Sequence, residues 1–181
     1  MECGGVSMPE KARQPPGQPA LTPLPRDADD LLRRWLAVPA VVAWWGNRAV
    51  AEARLRLAAE SRAAIRCLVL LDGEPIGYAQ ALDSAGAGGP VNARLDPGIW
   101  ECDLFVGSER HRGQGLGTAA LDLLVTEVFA TTLATGCAIF VPVASERVAR
   151  ACEGIGFRWT GVTRDPATGM VWVMVRNRPQ A

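Results

Sequence analysis

The sequence predicts a single-domain protein of the α/β or α+β class, built on a mixed sheet. Three observations carry this expectation. Two stretches with helical spacing open the chain, and then two short apolar runs flank an Asp72-Gly73 pair. After a Gly-rich stretch, strand and helix patterns alternate to the end. The length of 181 residues, 49% of them hydrophobic, suits one core and argues against disorder throughout.

Taken in order, residues 1–25 hold six of the thirteen prolines and few large apolar side chains. They are expected to form a disordered lead-in, with a single domain over 26–181. Asp27 is placed to cap a helix whose apolar face is Leu31, Leu32, Trp35 and Leu36, and Pro39 ends it. A second helix is expected over Arg48–Glu60, with Val50, Ala53, Leu57 and Ala58 on one side. Cys67–Leu71 and Pro75–Gln80 form the predicted hairpin around Asp72-Gly73. Ser84–Pro90 reads as a surface loop and Ile99–Val106 as a third strand. Leu116, Ala120, Leu124 and Val128 mark a long amphipathic helix over Leu116–Leu133. Ala138–Val141 is an apolar strand, Ser145–Glu153 a short helix closed near Gly154 or Gly156, and Met170–Val175 the last strand.

Composition narrows the function. Nineteen basic residues balance nineteen acidic ones, so there is no net positive field for nucleic acid or an anionic membrane. No apolar run is long enough to cross a bilayer, and the N-terminus lacks the pattern of a signal peptide. The five cysteines are scattered and there is one histidine, so neither a metal centre nor a His-based triad is expected. The cysteines read as reduced core residues of a cytoplasmic protein.

The most informative stretch is Arg110-His111-Arg112-Gly113-Gln114-Gly115-Leu116-Gly117-Thr118, between a strand and the long helix. Free N–H groups and the dipole at a helix start favour an anion, and glycines let backbone approach phosphate closely. The segment therefore suits a pyrophosphate cradle. Tight-turn glycines beside a solvated basic patch would give the same spacing. A Walker loop is excluded because Leu116, not Lys, follows Gly115, and the dinucleotide-binding glycine pattern is absent.

Arg112-Gly113-Gln114-Gly115-Leu116-Gly117 resembles the acyl-CoA signature of the GCN5-related N-acetyltransferases, and Glu153-Gly154-Ile155-Gly156-Phe157 resembles their second, C-terminal mark. Val42–Gly46, Asp72–Gln80, Asp96-Pro97-Gly98 and Met174-Val175 are similar to pieces of the aminoglycoside 6'-N-acetyltransferases within that superfamily. The resemblance implies the GCN5-related acetyltransferase fold, a mixed, mostly antiparallel sheet flanked by helices. It implies acetyl-CoA as cosubstrate, no metal, and direct acetyl transfer to an amine of a small molecule, most simply an aminoglycoside. The implied outcome is antibiotic resistance through 6'-N-acetylation, by a monomer or homodimer. Two rivals stay open: the same fold acting on another amine (a siderophore precursor, a polyamine or a protein N-terminus), and an acyl-CoA-binding module without turnover.

The resemblance also assigns residues. Asp103 stands where the family carries an acidic residue proposed as base, with Glu101 two residues away on the same strand face. An exposed acidic edge is the plainer reading of the pair. The oxyanion donor would be the backbone N–H of Val106 or nearby, so Leu104, Phe105 and Val106 join the coenzyme set with residues 110–118, Ser145 and Cys152. Trp45 is the tryptophan that would face the aminoglycoside, and Tyr78, Trp100 and Asp165 are further candidates for the acceptor groove. The tryptophan pair Trp44-Trp45 would also serve as core anchors between helices, and aromatic residues on strands, such as Tyr78 and Trp100, are most often core. The chain departs from the family pattern in two side chains of the C-terminal helix. Ser145 replaces the usual Asn, and Cys152 replaces the Tyr that protonates the leaving thiolate. Cys152 is either a short-reach acid or a buried thiol. Phe140 takes a place where aminoglycoside-modifying relatives can have an acid.

Overall fold

In the computed structural model, residues 17–84 and 95–180 are described. The elements are β1 (Pro19–Pro23), α1 (Asp29–Leu36), α2 (Pro39–Trp45), α3 (Arg48–Glu60), β2 (Ala64–Leu71), β3 (Glu74–Asp83) and β4 (Ile99–Val106). Then come α4 (Leu116–Thr131), β5 (Gly136–Pro142), α5 (Glu146–Gly154), β6 (Arg158–Asp165) and β7 (Gly169–Asn177). The seven strands form one sheet in the order β1-β2-β3-β4-β5-β7-β6. Every pairing is antiparallel except β4–β5. This is the expected mixed α/β architecture.

Strand alternation divides the core in two. On one face Val69, Ala79, Ala81, Trp100 and Cys102 meet α4, whose buried stripe is Leu116, Ala120, Leu121, Leu124, Val125 and Val128. That stripe repeats at the 3.6-residue helical period. On the other face Leu68, Tyr78 and Phe105 pack against α1 and α2 through Leu32, Trp35, Leu36, Val41 and Trp45. Phe105 takes the edges of both Trp35 and Trp45, at centroid distances of 6.0 and 5.0 Å. Gly107, just beyond β4, lies under Trp35, where a Cβ would come within 2.2 Å of the indole.

β4 and β5 pair only over three positions, ending at Glu101 opposite Ala138. Beyond that point β5 continues with β7 as far as Pro142, while β4 continues with β3 to Val106. The sheet therefore opens between the two parallel strands. Asp103 to Val106 lie along the opening.

The structure corrects several expectations. Residues 19–23 lie within the segment expected to be disordered, yet they form β1 and pair with Cys67–Leu71. Strand pairing holds it, with Pro19 buried and Leu21 packed against the α4-side core. Residues 1–16 and most of the expected Ser84–Pro90 loop lie outside the described residues. Asp27 does not cap α1, which begins at Asp29 with Ala28 at its N-cap. Pro39 starts a helix of its own, since proline suits the first helical position. α3 buries Ala51 and Ala58, with Leu55 packed beside them, while Leu57 is exposed. β6, absent from the expected elements, pairs with β7 through a polar sequence, RWTGVTRD, that lacks clean alternation.

Candidate active site

β4 presents alternating side chains to the two faces. Trp100 and Cys102 enter the α4 side, and Phe105 enters the other core. Glu101 and Asp103 share the parity of Phe105 and point to the α1–α3 side. There Asp103 meets a partner that sequence reasoning missed. Arg54 on α3 donates from Nη1 to Asp103 Oδ2 at 3.0 Å and from Nη2 to Asp165 Oδ2 at 2.9 Å. Side-chain exposures are 26% for Arg54, 19% for Asp103 and 7% for Asp165. One guanidinium thus bridges two largely buried carboxylates from different strands. The signal was present in the sequence: Arg54 falls at helical spacing from Ala51 and Ala58, on the inward stripe, and a charge there needs a counter-charge.

Asp165 uses its other oxygen to build the β6–β7 turn. Oδ1 accepts from Ala167 N and Thr168 N, both at 2.8 Å, and from Thr168 Oγ1 at 3.0 Å. That turn packs on the α2–α3 junction, where a Cβ on Gly46 would stand 2.8 Å from Ala167 Cβ. Gly46 has φ of 80°, so both the space and the backbone call for glycine.

Burial raises the Asp103 carboxyl above its ordinary range, and the charge and hydrogen bond of Arg54 oppose this. Asp165 adds to the rise. Arg54 is held charged: burial works against its charge, and Asp103, Asp165 and Glu101 outweigh burial. Glu101 is partly buried and joins this field.

The three aromatic candidates are not where an open groove would need them. Trp45 is 1% exposed and Tyr78 0%, and Trp100 is buried in the α4-side core. Their ring faces are taken up in packing, as the core alternative for these residues expects. Trp45 instead donates from Nε1 to the carbonyl of Leu104 at 3.3 Å, beside Asp103. Tyr78 donates to Gln80 Oε1 at 3.0 Å.

The glycine turn lies beyond the other end of β4. Gly115 precedes α4 with φ of 82° and Gly113 has φ of 74°; a Cβ on either would meet nothing within 4 Å. Gly117 sits in the first turn of α4, where a Cβ would lie 3.6 Å from Val106 and 3.7 Å from Leu104. The cradle therefore abuts the open end of β4. Arg112 donates to Gly107 O at 3.3 Å, and its Nε is buried with no partner among the described residues. Arg147, a second residue that sequence reasoning missed, reaches from α5 to Gly113 O at 3.3 Å. Gln114 donates to Arg110 O at 2.5 Å, and Arg110 pairs with Glu74. His111 Nδ1 lies 3.0 Å from Ser108 Oγ. Leu116 is buried in the core and Thr118 is partly exposed on α4.

Two coenzyme candidates turn inward. Phe105 contributes its ring to the aromatic core, leaving only its backbone for the opening. Cys152 is buried among the core residues, and burial with nearby Glu153 pushes its thiol up to about 11. This burial matches the buried-thiol alternative for Cys152. Ser145 sits at the N-cap of α5 without a side-chain capping bond. Two surface clefts lie elsewhere, one between α5 and β6–β7 around Trp159 and Trp172, the other beside β1–β2 around Leu21 and Ile65. No helix among the described residues is long and apolar enough to cross a membrane.

Comparison with known proteins agrees with this architecture. A family model described as an acetyltransferase (GNAT) domain matches residues 24–164. The aminoglycoside N(6')-acetyltransferases type 1 of Klebsiella pneumoniae and Serratia marcescens are each 30% identical over 156 residues, covering 82% of this chain and 77% of each relative. The solved structure of AAC(6')-Ib with paromomycin and acetyl-CoA is 28% identical, with a TM-score of 0.77 over 89% of this chain and 94% of that one. The complex of the same acetyltransferase with coenzyme A and kanamycin is 28% identical, with a TM-score of 0.76 over 89% and 95%. The opened β4–β5 edge, the glycine turn against it and these matches lead to one conclusion: the chain belongs to the GNAT acetyltransferase family, as an acyltransferase similar to the aminoglycoside 6'-N-acetyltransferases.

Proposed function

We propose that the protein transfers the acetyl group of acetyl-CoA to the 6'-amine of an aminoglycoside. The observation that carries this is the juxtaposition along β4: an acidic cluster at Glu101, Asp103 and Asp165, and three residues beyond Asp103 the strand end against the glycine turn. Three residues of strand span about 10 Å. An amine held at the acids and a thioester at the cradle would meet in the opening between.

The turn fits a pyrophosphate. Gly113 and Gly115 leave space above the backbone, α4 offers its free N–H groups, and the unpartnered Arg112 Nε supplies a buried donor. Arg147 adds charge at the rim. Bound acetyl-CoA supplies the activated acyl group. The Val106 N–H would polarise the carbonyl, and Asp103 would take the ammonium proton directly or through water. The amine has a pKa near 10 and the acid sits lower, so this proton transfer is uphill. It must come before attack, because only the neutral nitrogen has a lone pair for the thioester carbon. The C–N bond would then form as the C–S bond breaks, and CoA would leave as a thiolate that takes up a proton from water. The carboxylates also concentrate a polycation by charge. Cys152 plays no acid role in this reading. Use of acetyl-CoA, and the free cysteines among the described residues, support a cytoplasmic protein.

A CoA-release assay against aminoglycosides, spermidine and simple diamines tests the reading. The expected result is turnover with kanamycin and ribostamycin, with product NMR showing the new amide at the 6' nitrogen. Inert aminoglycosides beside an active polyamine would overturn the acceptor assignment. The burial of Trp45 and Tyr78 favours that second reading, since neither ring is open to a sugar.

A further inference from the structure

Arg54 is absent from the acceptor and coenzyme sets, yet its charge is built into the acidic cluster. Its guanidinium donates to Asp103 and Asp165 through separate nitrogens, at 3.0 and 2.9 Å, and is itself three-quarters buried. Neither carboxylate gains this partner from its own strand. We propose that Arg54 is a positioning residue: by bridging Asp103 to the β6–β7 turn, it fixes the orientation and charge of the group that accepts the amine proton. This inference rests on the reading of Asp103 as base.

Asp103 faces Glu101 from its own strand, Asp165 from β6, Tyr78 and Gln80 from β3, and Arg54 from α3. Of these, Arg54 is the cation in direct contact. Burial and the Asp165 carboxylate oppose ionisation of Asp103; the Arg54 guanidinium, with a backbone hydrogen bond from Leu104, favours it. Asp165 cannot turn away to relieve the crowding, because its second oxygen is committed to three donors in the turn. The bridge therefore has a rigid anchor on one side and the proton acceptor on the other. It also lowers the net negative charge offered to the acceptor amine, so Arg54 sets how strongly the site selects for polycations.

The test follows the Asp103 carboxyl by carbon NMR in full-length protein labelled at aspartate, with Asp103→Asn assigning the signal. Arg54→Gln is expected to raise its titration midpoint by about one unit or more. The acid limb of kcat, with saturating acceptor, is expected to move up with it. Arg54→Lys keeps the charge but cannot span both carboxylates, so its midpoint should move less while kcat still falls about tenfold. An unmoved Asp103 midpoint in folded Arg54→Gln overturns the proposal, whatever happens to the melting temperature. Should Arg54→Gln not fold, wild-type kcat in Arg54→Lys overturns it. A shifted midpoint with an unmoved kcat limb also sinks it, and identifies the reading of Asp103 as base as the part that failed.

Discussion

Arg54 and Asp165 lie 111 residues apart in the chain and meet at 2.9 Å, joining α3 to the end of β6. Asp165 divides its work by oxygen, one for the guanidinium and one for the turn that follows. Asp165→Ala removes both at once and leaves Arg54 half-compensated in a buried place, so unfolding in urea should show a loss of roughly 3 to 5 kcal/mol. Asp165→Asn can still accept the turn's N–H groups through its amide oxygen and should lose less. Equal losses in the two variants would mean that the ion pair, not the turn, carries the stability.

Asp103→Asn keeps shape and removes charge. Turnover should fall by about 10² to 10⁴, with acetyl-CoA affinity unchanged by calorimetry. Burial raises the Asp103 carboxyl, so its deprotonated form is lost on acidification sooner than for an ordinary aspartate. The wild-type kcat should therefore drop on the acid side at a pH above the usual carboxylate range, and that limb should vanish in Asp103→Asn. Full recovery of the variant's rate at saturating amine would restrict Asp103 to holding the substrate.

Gly115→Asp places a carboxylate where phosphate is expected and forces a side chain onto a backbone with φ of 82°. Acetyl-CoA affinity should fall by at least tenfold. Gly115→Ala carries the same backbone strain without the charge, so it should bind more tightly than Gly115→Asp. Matching affinities in the two would assign the effect to strain alone.

Cys152→Ala removes one buried sulfur from the α5 side of the core. Stability should drop by about 1 kcal/mol and turnover should persist. A hundredfold loss of kcat with unchanged melting would return Cys152 to the chemistry.

What could be read from the sequence follows from periodicity. α4 was legible because Leu116, Ala120, Leu124 and Val128 repeat strictly, and β4 because Ile99–Val106 is mostly apolar, with Glu101 and Asp103 on one face, between Pro97-Gly98 and Gly107. The glycine turn was legible because only backbone freedom explains three glycines before and within a helix start. β1 and β6 were not, since their residues are held by strand pairing with distant partners rather than by an apolar pattern of their own. The location of Asp103 was legible and its partner was not. A single arginine on a helix says nothing of which carboxylates a β6–β7 turn will bring to it. Trp45 and Tyr78 show the reverse failure: their chemistry suited a groove, and only three-dimensional packing with Phe105 reveals that their faces are already used.

β1 has a consequence for how the chain behaves in company. Among the described residues it is the outermost strand on its side of the sheet, and its first and last residues are Pro19 and Pro23, which have no N–H to offer a further strand. The sheet thus ends in a segment ill suited to extension by a foreign chain. A protein shortened to start at Arg26 would expose β2 instead, an eight-residue strand reading AIRCLVLL with its hydrogen-bonding edge uncovered. Such a fragment should still fold around α4. It should also self-associate as its concentration rises, visible as a growing scattering signal that the longer chain does not give.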